Sequence, residues 1–323
     1  MNTSPLHIYL DQNKWIDLGR AFHDRPGGSR YKTVATKLSL AVREGKAVVP
    51  LSATHIIETR KRSNLSSRRR LSQVMSSISL GWTVAPNYVI TPSELRVQLA
   101  KTFGCSLRDQ PTVFGRGIPF ACGMKTTLKD HGGKKVKIPR PIARKIDEYM
   151  SQAAVIEDFM CGGDQSINLL AVEEFRKGQS TIAETQEQFR AKAKSYGPAI
   201  HRRGKVANLT LSIQPTLALI LAEFGKTMQD FLDLGKERLM AFFSEVPTLD
   251  VGTELEIARN EYWNRNIQPN DSSDITFLSV AIPHFDIVVT ERFWCQVTQA
   301  CNLDKKYNTV MLDDLASLEM CVV

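Results

Sequence analysis

Four short apolar runs, 7-HIYL-10, 47-AVVPL-51, 287-IVVT-290 and 309-TVML-312, lie two at each end of the chain, with the whole middle of the sequence between the pairs. Each has the length and the Val/Ile/Leu content of a strand buried on both faces, and the first three are followed by helical periodicity. Strand and helix in alternation favour a parallel sheet with helices on its faces. If the two pairs share one sheet, the chain must leave it after the second strand and return for the third. The sequence therefore predicts an α/β domain assembled from residues 1–65 and 245–323, interrupted by a large insertion over 66–244.

Local signals sharpen the two ends. YKTVATKLSLAVREG carries Val34, Leu38, Ala41 and Val42 at helical spacing and is closed by Gly45. Ser52 is placed to cap a helix through ATHIIETRKR that carries Glu58 about two turns in. Near the other end the pattern predicts helices over 251–265, 273–281 and 292–301. The insertion begins with Ser/Arg, Gly/Pro and Lys/Gly stretches over about 63–145, where strand and helix signals are scattered. From 142 to about 243 it reads as almost wholly helical.

At 323 residues and 42% apolar content the chain can bury a large core. The formal net charge of +8 is bunched into clusters, which suits a polyanionic partner. These are Arg60, Lys61 and Arg62 running towards Arg68, Arg69 and Arg70; Lys134, Lys135, Lys137, Arg140, Arg144 and Lys145; and Arg202, Arg203 and Lys205. The first follows the Glu58 helix and is placed to hold phosphates, with Arg60 and Arg62 nearest; a solvated face is the ordinary alternative for all three. Six cysteines form no CxxC pair and no zinc spacing with histidine, and read as reduced thiols. The first residues lack a signal-peptide pattern and TLALILA near 216 is too short to span a bilayer, so a cytoplasmic protein with no membrane partner is expected.

The junctions after these strands and at the helix starts are acidic. Asp11 ends the first strand, Glu58 lies on the helix after the second, Asp274 opens a later helix, and Glu291 follows 287–290. In an open parallel sheet, functional groups gather beyond the carboxyl ends of the strands. Four carboxylates in one crevice would repel one another unless a cation joined them, and hard oxygen ligands suit Mg²⁺ or Mn²⁺. One or two such ions activate water and steady the leaving oxygen in phosphodiester hydrolysis. Each acid also has a structural reading: Asp11 as a turn or cap, Glu58 as a helix former, Asp274 or Asp271 as a complement to a helix N-terminus, Asp286 as a turn residue, Glu291 as the cap of the helix at Arg292.

In order and spacing these residues resemble the PIN-like nucleases. YLD ending at Asp11, PLSATHIIE ending at Glu58, DITFLSVA beginning at Asp274, and Thr290 at the end of a later strand are similar to that family's four acidic blocks. The family's commonest form has its fourth acid two residues after the Thr; here Arg292 occupies that place and the acid, Glu291, comes one residue early. The resemblance covers about residues 5–62 and 248–315. It implies a Rossmann-type sheet and cleavage of RNA or DNA dependent on Mg²⁺ or Mn²⁺. Asp11 and Asp274 would be direct ligands, with Glu58 and Glu291 completing the set and Asp271 a possible additional acid. Thr290 would orient Glu291 or a phosphate, and Asn13 would contact substrate or a coordinated water. His55, one turn before Glu58, shares its face and reads as packing. The insertion suggests a nuclease subunit with a protein partner or activator, such as a toxin or defence-system effector. The competing class is a PIN-like scaffold that binds protein or nucleic acid without cleaving. A nucleotide-binding protein is disfavoured, since no strand leads into GxGxxG or GxxxxGK[ST].

Overall fold

The computed structural model describes residues 4–107, 110–124, 128–129, 135–136, 138–162, 165–194 and 198–322. The first half runs through β1 (Leu6–Leu10), α1 (Gln12–Phe22), α2 (Lys32–Arg43), β2 (Ala47–Val48), α3 (Ala53–Arg60), α4 (Leu65–Ser79), β3 (Trp82–Val84), α5 (Asn87–Phe103), β4 (Phe114–Arg116), α6 (Gly117–Ala121), β5 (Leu128–Lys129), β6 (Lys135–Val136), α7 (Arg140–Met150) and α8 (Ala153–Cys161). The second half is α9 (Gln165–Ala193), α10 (Pro198–Glu223), α11 (Met228–Leu232), α12 (Lys236–Ser244), α13 (Pro247–Glu261), α14 (Asp271–His284), β7 (Ile287–Val289), α15 (Arg292–Ala300), α16 (Leu303–Tyr307) and β8 (Val310–Leu312).

The four apolar runs of the sequence form one parallel sheet in the order β2-β1-β7-β8. Both faces are buried, which is why the strands are continuously apolar. Ile8 and Leu10 of β1, with Ile287 and Val289 of β7, enter one core, while Tyr9 and Val288 enter the other. The β1–β7 register sets Leu10 opposite Val289, and the Asp11 N–H donates to the Val289 carbonyl at 2.9 Å. Asp11 and Thr290 therefore leave the sheet at the same level.

The insertion is less separate than its boundaries imply. The stretch after residue 63 is not sparse in structure: α4 and α5 are long helices. In α4, Leu71, Val74, Met75 and Ile78 recur at helical spacing and join the core that holds Ile8 and Leu10, as do Ile118, Ala121, Ile156 and Met160. Serines and a glutamine between those four apolar positions, with the arginine run just before them, masked the period. Packing thus continues through residue 65 into the segment assigned to the insertion. Helices α5, α10, α11, α12 and the start of α13 build a third core from Leu95 and Leu99, Leu217, Ile220 and Leu221, Phe231, Phe242, Phe243 and Leu249. Over Arg202–Glu223, α10 is long and apolar enough to cross a bilayer by composition, well beyond the short TLALILA run, yet Leu217, Ile220 and Leu221 are already used in this core.

Candidate active site

Asp11 occupies the N-cap of α1, directly beyond β1. Its Oδ1 accepts the Gln12 N–H at 2.7 Å and its Oδ2 faces the Thr290 hydroxyl at 3.4 Å, a long hydrogen bond. Thr290 thus orients Asp11 rather than Glu291. Glu58 is delivered by α3, whose first turn is fixed by a reciprocal cap. The Ser52 hydroxyl accepts the His55 N–H at 3.3 Å, and His55 Nδ1 accepts the Ser52 N–H at 3.1 Å. Asp274 lies in the first turn of α14, where Trp294 Nε1 donates to its Oδ2 at 3.0 Å.

These three acids, from three different elements, line one cavity together with Tyr9, Gln12, His55, Ser273 and Thr290. The cavity holds about 20 Å³, which is room for a single water-sized occupant. Burial, and after it the charge of Asp11, pushes the Asp274 carboxyl up to about 8. Burial and then Asp11 likewise raise Glu58, with Lys61 pulling the other way. Asp11 is itself raised by burial, against the pull of the Gln12 N–H. At the back, the phenol of Tyr9 is raised well above its ordinary value, by burial first and then by Asp11, Asp274 and Glu58 in turn. One buried hydroxyl senses all three carboxylates.

Comparison with protein-family models, curated proteins and solved structures finds no match.

The other sequence candidates divide. Glu291 is exposed and outside the cavity lining; its side chain does not cap α15 but accepts from Asn13 Nδ2 at 2.9 Å, and its charge raises Asp11 and Asp274. Asn13 is therefore a holder of Glu291. Asp271, the possible additional acid, is committed elsewhere. It is 1% exposed, takes Arg265 Nη1 and Nη2 at 2.7 and 2.8 Å, and accepts the Gln268 N–H at 2.9 Å. It fixes the loop into α14. Asp271→Ala leaves that guanidinium without its partner and should cost about 3 kcal/mol in a denaturant melt. Loss of less than about 0.5 kcal/mol would contradict this role. Asp286 accepts the His7 N–H at 2.7 Å and is structural, as its turn position implied.

Arg60 does not face the cavity: its guanidinium lies over the Phe159 ring at 4.3 Å. Arg68 is buried and donates to the Arg60 carbonyl at 3.0 Å, so part of the first basic cluster is core structure. Arg62 is half-buried and lines a separate cleft. In the other clusters Arg202 pairs with Glu254, Lys205 with Glu256 and Arg144 with Glu148, while Lys134 and Lys137 lie outside the described residues.

Sequence reasoning missed Tyr9, Gln12 and Trp294. Gln12 donates from Nε2 to the Thr59 hydroxyl at 3.2 Å, which leaves its buried Oε1 unpartnered at the cavity. His55 packs, as expected, between Tyr9 and Trp15; burial lowers its pKa to about 3, so it is neutral, with its proton on Nε2 because Nδ1 accepts.

Among the described residues, no three His, Cys, Asp or Glu side chains are gathered closely enough to enclose a metal ion. The donor chemistry nevertheless fits a hard divalent cation: three carboxylates, of which Asp11 raises the other two, and an orphaned amide oxygen around a space for one small occupant.

Proposed function

We propose that the chain is a divalent-metal-dependent nuclease of the PIN-like kind, hydrolysing phosphodiester bonds in RNA or DNA. The observation that carries this reading is the convergence of Asp11, Glu58 and Asp274 on one small cavity beyond the carboxyl ends of β1 and β7. Asp11, Asp274 and Glu58 would hold Mg²⁺ or Mn²⁺, with Glu291 at the rim. Bound there, the ion supplies activation of water and neutralises charge that builds on the phosphate oxygens. The chain's own residues fix the donors. Trp294 sets the Asp274 carboxylate, Gln12 N–H and Thr290 set Asp11, and Asn13 keeps Glu291 on the same side. Neutral His55 and the buried Tyr9 close the floor of the site without adding charge at neutral pH.

The test is purified protein incubated with labelled single-stranded RNA, total tRNA, and single- and double-stranded DNA, with Mn²⁺, Mg²⁺ or EDTA. Cleavage of one class that requires the ion supports the reading and names the substrate. Silence on every substrate, with no stabilisation by Mn²⁺, removes it. Silence with Mn²⁺ stabilisation intact points to a required activator, as expected of an effector subunit in a toxin or defence system.

The second reading, a PIN-like scaffold without catalysis, is favoured by the position of Glu291 outside the cavity and the open spacing of the acids. It expects no carboxylate-dependent thermal shift with Mn²⁺.

A further inference from the structure

Next to the carboxylate cavity, the flank of α1 and the start of α4 enclose a second cleft of about 420 Å³. Its charged lining is Arg20, Arg25, Arg62 and Arg70, with Asn64 and Ser67 beside them, and no acid lines it. Arg20 is shared with Asp17 at 3.0 Å. Among the described residues, Arg25, Arg62 and Arg70 have no carboxylate within 4.0 Å, whereas Arg202, Lys205 and Arg238 are each paired with a glutamate. Arg62 is partly withdrawn from water and steadied by a bond from Nη2 to the Ser67 hydroxyl at 3.0 Å; burial, then the charge of Arg20, lowers its pKa. A concave surface of guanidiniums with one sign of charge is relieved by a tetrahedral oxyanion, which Arg binds through paired N–H donors.

The two clefts share both walls. Gln12 lines the carboxylate cavity, and Ile16, Gly19 and Arg20, at helical spacing along the same stripe of α1, line the arginine cleft. On the other wall Glu58 and Arg62 stand four residues apart. Seven or eight residues of helix separate the sites by about 11 Å along α1. That is roughly three nucleotides of a stacked strand, at about 3.4 Å each.

We infer that the arginine cleft binds a backbone phosphate of a nucleic-acid strand, about three nucleotides from the phosphodiester held at Asp11 and Asp274. The register rests on the nuclease reading; the phosphate site itself does not. The cleft therefore contributes affinity and sets the strand's direction across the carboxylates, without reading sequence.

The test is binding in EDTA, where no cleavage occurs, of fluorescein-labelled single-stranded RNA and DNA of about 12 nucleotides to the full chain, followed by anisotropy over a salt series. The Arg25→Gln/Arg70→Gln variant should bind about tenfold or more weakly near 0.15 M salt, and its log K against log salt should be shallower by about two. Arg140→Gln/Arg144→Gln, the same charge change on α7, should alter neither. Unchanged affinity and slope in the first variant would overturn the site. So would Arg25- and Arg70-dependent binding of inorganic pyrophosphate by a chain that ignores both oligonucleotides, which would make it a small-anion pocket. Should the double variant melt early, Arg25→Gln alone, at an exposed position, carries the same test with a slope change of about one. Arginine-dependent binding in a protein that cleaves nothing would remove the nuclease reading and leave the phosphate site standing.

Discussion

Asp274→Asn should reduce metal-dependent cleavage by about a thousandfold or more. The substitution keeps the shape of the side chain and retains an oxygen for the Trp294 N–H, which now sits 3.0 Å from Oδ2. What it removes is a negative charge at the cavity where Asp11 and Glu58 already meet. If that charge serves to hold a cation, the remaining pair cannot hold it in the same place, and the rate falls by the full value of that stabilisation. The folded protein should not suffer, because without the ion Asp274 keeps its proton to about pH 8 and the amide replaces a group that is already neutral. Asp286→Asn is the matched control: another junction acid, bonded to the His7 N–H and away from the cavity, whose loss should leave the rate within about twofold. Equal activity in wild type and Asp274→Asn would sink the proposed mechanism.

The metal-free protein should lose stability as pH rises from about 4 to about 8. In the folded chain Asp274 holds its proton up to about pH 8, whereas in the unfolded chain it releases it near the ordinary 3.8. Between those limits the folded state binds the extra proton, so raising the pH favours unfolding, by about 1.4 kcal/mol per pH unit for one fully linked proton. The acids that oppose ionisation are Asp11, Glu291 and Asp271; the Trp294 N–H favours it. Glu58 and Asp11 are shifted in the same direction and add to the slope. Over the window the contribution to stability, on the order of several kcal/mol, is present at low pH and gone above about 8. Thermal melts in EDTA should show the fall, Asp274→Asn should flatten it, and Mn²⁺ at about a hundredfold its Kd should restore about 2.7 kcal/mol at pH 8. Stability that is flat or rising across this range, with no Mn²⁺ effect, would mean that the carboxylates are solvated and independent.

Much of this architecture was legible because burial on both faces leaves a strong mark: continuous apolar runs that cannot be solvated helices or loops. The same logic located Asp11 and Asp274, since each sits at a strand or helix junction where an acid is visible against an apolar background, whereas Glu58, two turns into α3, stood out only by its order after the second strand. Partnering was not legible. Asp271 and Asp274 look alike in sequence, three residues apart, and only the folded loop shows that Arg265 claims the first and leaves the second to the cavity. Arg60 and Arg62 divide in the same way, one lying on Phe159 and the other lining a cleft. Helix α4 went unread because tertiary contact, rather than propensity, holds a serine-rich segment helical.

The pairing of β1 with β7 also has a temporal meaning. Asp11 and Glu58 leave the ribosome early, but the strand that flanks them and the acid that completes their cavity come from residues 274–290. A nascent chain carries two of its carboxylates through the whole of the intervening segment without a site to put them in, and any product truncated before β7 stays without one. Closing so distant a pair is slow and late by its nature. Whatever this pocket does, it begins only once residues 274–290 have emerged and paired.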